Sequence, residues 1–133
     1  MANPIRVMIA EDNDVLRSSL VTFFEFSPGI LVVGEASNGT EAVKLCERLR
    51  PDVIIMDMLM PEMDGLQATK IITDQYPDIQ VIVLTTGFGW MAEDTFAAGA
   101  SAYLLKTISV DKIVEVIHAI HTRHQLSRPA SQT

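Results

Sequence analysis

Two stretches, Val53-Ile54-Ile55-Met56 and Val81-Ile82-Val83-Leu84, carry no polar side chain at any position. A strand with one wet face alternates apolar and polar residues, so strands that are apolar throughout must be covered on both faces. Ile5 to Ala10, Ile30 to Val33 and Tyr103 to Leu105 are three further short apolar runs, and stretches with helical spacing separate all five. Leu16, Leu20, Phe23 and Phe24 form one helical stripe, and Ala42, Leu45, Cys46 and Leu49 a second. Ile113, Val116, Ile117 and Ile120 form a third, at i, i+3, i+4 and i+7. Local punctuation agrees with this division. Asn38-Gly39-Thr40 opens the second helix, Pro51 stops it, Asp64 caps the third, and Pro77 keeps helix out of the approach to the fourth strand.

Strict alternation of strand and helix implies a parallel sheet with right-handed crossovers and helices on both faces. The expected fold is α/β and flavodoxin-like, a (βα)5 unit with a doubly wound five-stranded parallel sheet in the order 2-1-3-4-5. Its functional site is expected at the carboxyl ends of strands 1 and 3. With 133 residues, 48% of them hydrophobic and 20% charged, the chain suits one domain with a full core. That domain is expected over residues 1–126, with 127–133 a polar linker stub or disordered tail.

The formal net charge of −7 argues against direct binding of nucleic acid, whose phosphates call for Lys and Arg clusters, and against an anionic membrane surface. No apolar run approaches the roughly 20 residues of a spanning helix. The start, Met1-Ala2-Asn3-Pro4-Ile5-Arg6, lacks the order of a signal peptide, and Cys46 has no second cysteine to pair with. A cytoplasmic location is the expectation.

The residues that follow the strands share a chemical character. Strand 1 runs into Glu11-Asp12, strand 3 ends on Asp57, strand 4 in Thr85-Thr86 and strand 5 in Lys106. Strands 1 and 3 are neighbours in the expected order, so Glu11, Asp12 and Asp57 should converge. Carboxylates held this close repel, and a hard, oxygen-seeking cation such as Mg2+ is what neutralises them. A hydroxyl and an ammonium facing such a cluster complete a site for a dianionic phosphoryl group. Any one of these residues alone is adequately explained as a cap or a solvated loop charge. Their coincidence at four strand ends is not.

The chain at this point resembles the receiver domain of bacterial two-component response regulators, over essentially residues 5–124. The resemblance rests on Ile9-Ala10-Glu11-Asp12, on Asp57-Met58-Leu59-Met60-Pro61-Glu62-Met63-Asp64-Gly65, on Leu84-Thr85-Thr86 and on Ala98 through Lys106. Val33-Gly34-Glu35-Ala36-Ser37-Asn38-Gly39 and Tyr103-Leu104-Leu105-Lys106 look most like the NarL/FixJ subfamily, whose receivers usually precede a LuxR-type DNA-binding output domain. The resemblance implies that Asp57 accepts a phosphoryl group from a sensor histidine kinase. It implies that Glu11, Asp12, Asp57 and the backbone carbonyl of Leu59 hold Mg2+. Lys106 and Thr85 would contact phosphoryl oxygens, and Tyr103 would turn from exposed to buried as Thr85 moves inward. The helix 4–strand 5–helix 5 surface would change with it, and homodimerisation on phosphorylation is a further implied property.

The sequence also departs from that pattern. The segment between Thr85 and Lys106 is short by about one residue, and Gly87-Phe88-Gly89-Trp90-Met91 is apolar where relatives are usually polar. The family's cis peptide after the lysine would fall on Lys106-Thr107, a non-proline bond, at roughly 3 kcal/mol. Leu59 and Gly87 bring no polar side chain beside the phosphoryl position, so slow self-hydrolysis of the phospho form is expected. An aspartyl-phosphate phosphatase needs a second carboxylate where Leu59 stands, and a flavodoxin-like carrier would have Glu11-Asp12 repelling its phosphate. A stand-alone receiver, or a pseudo-receiver acting as a constitutive interaction module, is the alternative that the Gly87–Met91 stretch keeps open. His118, His121 and His124 on the last helix read as a solvated face, because a three-residue spacing drifts around a helix. Val110 and Val114 stand partly off the core stripe of that helix, as either a dimer contact or a wide apolar face.

Overall fold

The computed structural model describes residues 3–87 and 92–128, over which strands and helices alternate in ten elements. They are β1 (Ile5–Ala10), α1 (Asp14–Glu25), β2 (Ile30–Ala36), α2 (Gly39–Leu49), β3 (Val53–Asp57), α3 (Gly65–Gln75), β4 (Gln80–Thr85), α4 (Ala92–Ala97), β5 (Ala102–Leu105) and α5 (Val110–Ser127). All strand pairs are parallel, and the sheet order is β2-β1-β3-β4-β5, as the sequence implies.

The apolar strands are apolar throughout because the sheet has two dry faces. Val7, Ile9, Val53, Ile55, Ile82 and Leu84 pack with Leu20 and Phe24 of α1 and with Ile113, Ile117 and Ile120 of α5. The intervening Met8, Ala10, Ile54, Met56, Val81 and Val83 pack with Ala42 and Cys46 of α2 and Ala68 and Ile72 of α3. A period of two thus feeds two cores, and each fully buried Ile or Val contributes about 2 kcal/mol of transfer free energy.

Where strands run past their apolar letters, backbone pairing carries them. β2 was expected over Ile30–Val33 but continues to Ala36, resuming its ladder with β1 after an irregularity between Val7 and Met8. Gly34 sits in this stretch close under α2, where a Cβ would stand 2.8 Å from Leu49 Cδ1. The helical stripes hold in their centres and open at their margins. Leu20 and Phe24 are core, whereas Phe23 is 38% exposed. Val110 and Val114 pack against the α1/α5 core, which favours the wide apolar face over a reserved contact.

Capping is side-chain mediated. Asn13, Asn38, Asp64 and Ser109 each accept a backbone N–H in the first turn of the helix that follows. At the end of α2, Arg50 adopts φ 46° and the Arg6 guanidinium donates to the carbonyls of Leu49 (2.7 Å) and Arg50 (2.6 Å). The histidines of α5 correct the expectation of a solvated face. All three are half-buried, His124 Nε2 lies 3.1 Å from Asp78 Oδ1, and the His118 ring sits under Gly29. The loops before β2 and β4 fold back onto that helix, which its spacing alone does not reveal. Helix α5 runs to Ser127, one residue into the expected tail, and 129–133 lie outside the described residues. Among the described residues no peptide bond is cis, and no helix is long and apolar enough to cross a membrane.

Candidate functional site

The ladder between β1 and β3 sets the site. Ala10 pairs with Met56, so the first residue beyond β1 comes level with the last residue of β3. Glu11 therefore arrives beside Asp57, and Asp12 follows it over the sheet edge. One carboxylate oxygen from each of Glu11, Asp12 and Asp57 lies within 4.8 Å of the other two. Glu11 and Asp57 are buried, at 2% and 3% exposure, and Asp12 is open to solvent. The convergence expected from the strand order is realised.

Lys106 closes the cluster from the far side. It follows β5, its N–H donates to the Thr85 carbonyl at 2.7 Å, and its Nζ lies 2.9 Å from Glu11 Oε1 and 3.1 Å from Asp57 Oδ1. Thr85 ends β4 and is buried, and its Oγ1 accepts the Gly87 N–H at 3.2 Å. Gly87 has φ +93°, a conformation that suits glycine. The rest of the apolar stretch, residues 88–91 with Trp90, lies outside the described residues. Tyr103 is half-buried and packs on the α2/α3 core, where the resemblance implies an exposed ring. Its strand, β5, is the short sheet edge, so the ring has room to lie against the sheet.

Three carboxylates face one ammonium. Burial pushes the Glu11 carboxyl up to about 7; the Asn13 N–H (3.1 Å) and Lys106 pull it down, while neighbouring Asp57 adds to the rise. For Lys106, burial works against the charge, but its hydrogen bonds to Glu11 and Asp57 outweigh that and hold it above the usual lysine value. Glu11 Oε1 is buried, and the cation it meets is Lys106 Nζ at 2.9 Å, which it shares with Asp57. An all-oxygen set of this kind, three converging carboxylates against one ammonium, fits Mg2+.

The loop after β3 is held close to Asp57. Leu59 N–H donates to Asp57 Oδ1 at 3.3 Å, Gly65 N–H donates to the Met58 carbonyl at 2.9 Å, and the Leu59 side chain is 55% exposed. Gly65 is required for packing: a Cβ there would lie 2.2 Å from the Asp57 carbonyl oxygen. Sequence reasoning missed one residue, Arg17, whose guanidinium grips the Glu11 carbonyl from α1. Its signal is that it is the only basic residue of α1, directly after an acidic turn. Cys46 is buried, and burial pushes its thiol up to about 12, in line with an inert core residue.

Comparison with known proteins gives a consistent answer. The response regulator receiver domain matches residues 7–118. The transcriptional regulatory protein LiaR of Bacillus subtilis (strain 168) is 43% identical over 119 residues, which cover 86% of this chain and 55% of that protein. The structure of a LuxR-family DNA-binding response regulator from Staphylococcus aureus superposes with a TM-score of 0.82 at 32% identity, covering 88% of this chain and 98% of that one. The response regulator domain of Thermotoga maritima CheB gives 0.83 at 30% identity, covering 90% and 98%. The chain spans a little over half the length of the curated relatives it matches. A family match over most of the chain, together with the carboxylate cluster at the ends of β1 and β3, shows that this chain belongs to the response regulator receiver domains of bacterial two-component systems and is closely related to LuxR/NarL-type regulators.

Proposed function

We propose that the chain is a phosphorelay receiver in which Asp57 accepts a phosphoryl group from the phosphohistidine of a sensor histidine kinase. The observation that carries this is the buried Asp57 carboxylate, set 3.1 Å from Lys106 Nζ and within 4.8 Å of oxygens from Glu11 and Asp12. In the transfer an Asp57 oxygen attacks phosphorus, a P–O bond forms, and the P–N bond to the imidazole breaks. The leaving imidazole keeps the electron pair. Lys106 meets the charge that develops on one phosphoryl oxygen, and the Thr85 hydroxyl donates to another. Glu11, Asp12 and Asp57, with the Leu59 carbonyl, would hold Mg2+, which when bound would offset charge on the transferred oxygens.

Phosphorylation then biases a two-state equilibrium: the inward pull on Thr85 lets the Tyr103 ring bury further, and the α4–β5–α5 surface changes, with homodimerisation as one readout. A LuxR-type DNA-binding output outside these residues is supported by the curated relatives' description as transcriptional regulators and by their greater length. Incubation with a small phosphodonor and Mg2+ tests the core of the reading. One phosphoryl adduct per chain, absent from Asp57→Asn, is expected. A folded wild-type chain that forms no adduct would make it a pseudo-receiver, and continuous release of phosphate would make it an enzyme.

A further inference from the structure

Asp12 is the exposed member of the cluster, and among the described residues no hydrogen bond or ion pair holds its side chain. Where its oxygens stand is therefore decided by the backbone that carries it. That backbone is pinned on both sides of Glu11. The Glu11 N–H donates to the Ala36 carbonyl of β2 at 2.9 Å, and the Glu11 carbonyl accepts from Arg17 Nη1 at 2.7 Å. The carbonyl belongs to the peptide unit joining Glu11 to Asp12, so the guanidinium fixes the plane between two carboxylates that must converge on one cation.

Arg17 is itself braced. Nη2 donates to Asp14 Oδ1 at 2.7 Å and Nε to Glu35 Oε1 at 3.3 Å, and the side chain is only 16% exposed. Asp14 opens α1 and Glu35 stands on β2, so one planar, five-donor group ties the loop end, the helix start and the edge strand together. Lysine has neither the fork nor the rigidity to reproduce three such bonds. Arg17 touches none of the cluster's carboxylate oxygens in Asp12 or Asp57, so its influence on a cation passes through Glu11's backbone.

We propose that Arg17 is a positioning residue that sets the Mg2+ affinity of the site by holding the Glu11–Asp12 peptide, with Glu35 as its brace. The inference rests on the reading of the cluster as a Mg2+ site. Its sign separates it from simple electrostatics: removing a cation near an acidic site should tighten Mg2+ binding, whereas losing a positioning contact should weaken it.

The test is Mg2+ titration calorimetry on the full chain, wild type against Arg17→Ala, Arg17→Lys and Glu35→Gln, with melting temperatures measured in chelator. Expected is roughly tenfold weaker binding in Arg17→Ala, a loss of severalfold in Arg17→Lys despite its retained charge, and a smaller loss in Glu35→Gln. Unchanged or tighter binding by folded Arg17→Ala overturns the proposal while leaving the site reading intact. Should Arg17→Ala not fold, Arg17→Lys decides, and wild-type affinity in that variant overturns the proposal. Absence of Mg2+ binding by the wild type defeats the site reading, and this inference with it.

Discussion

Replacing Glu11 by glutamine should stabilise the metal-free domain at alkaline pH and cripple it as a cation site. Burial raises the Glu11 carboxyl from the ordinary 4.5 to about 7, so its ionised form is the costly one in the folded chain. The unfolded chain releases this proton near 4.5 and the folded chain only near 7. Between those values the native state binds more protons, and stability falls as pH rises. At 1.36 kcal/mol per pKa unit the full penalty, reached above pH 7, is about 3 kcal/mol at most. Glutamine keeps the shape without the charge and escapes the penalty. Urea unfolding in chelator should give nearly equal stabilities for the two proteins at pH 4.5 and a widening advantage for Glu11→Gln up to about pH 8. Saturating Mg2+ should reverse the order, because a bound cation turns the Glu11 charge from a cost into a ligand. A difference between wild type and Glu11→Gln that does not vary with pH in chelator would refute the reasoning, since the penalty would then not be one of ionisation.

Three further outcomes follow from the geometry. Gly65→Ala places a Cβ 2.2 Å from the Asp57 carbonyl and 2.8 Å from Met58 Cα, both backbone; a loss of about 2 kcal/mol or more in unfolding free energy is expected, and full stability would show that the loop yields without cost. The phospho form should persist for minutes or longer in the purified domain, because Leu59 and Gly87 offer no side chain to orient attacking water; a half-life of seconds, read by phosphate release, contradicts this. Cys46, fully buried with its thiol pushed up to about 12, should resist alkylation at pH 8 in the native state and react only in urea. Rapid native labelling would mean that α2 opens far more readily than its packing suggests.

The two uninterrupted apolar runs and the alternation around them made the doubly wound sheet legible, because only a strand with two dry faces can afford such letters. The site was legible for the same reason: once β1 and β3 are neighbours, residues leaving them in level register must meet, and Glu11, Asp12 and Asp57 do. What stayed hidden depends on contacts that no local pattern encodes. Arg17 gripping the Glu11 carbonyl joins a helix to a loop through its side chain, and Arg6 capping α2 spans 43 residues. His118 and His124 of α5 depart from a solvated face because the loops holding Gly29 and Asp78 cover them, which the helix's own periodicity does not encode. The length of β2 was underestimated because Gly34 and Glu35 pair through backbone alone.

The geometry around Thr85 bears on how large the proposed switch must be. Oγ1 acts as an acceptor in the bond it makes, from Gly87 N–H at 3.2 Å, so a phosphoryl oxygen on Asp57 offers its hydroxyl proton a charged acceptor without competing for that role. A hydrogen bond to a charged group contributes about 1.5–3 kcal/mol, enough to move a two-state equilibrium by roughly tenfold to a hundredfold. Tyr103 starts half-buried against the α2/α3 core, so its remaining travel is short and little new apolar area is available to drive it. The two states therefore have to lie within a few kcal/mol of each other before phosphorylation, and the bond to Thr85 has to supply most of the bias. Thr85→Val removes that donor at nearly constant volume. It should slow formation of the Asp57 adduct without preventing it, and in the adduct once formed abolish the change in Tyr103 burial, read by NMR of the ring. A normal Tyr103 response in phosphorylated Thr85→Val would place the coupling elsewhere, with Lys106 the next group in contact with Asp57.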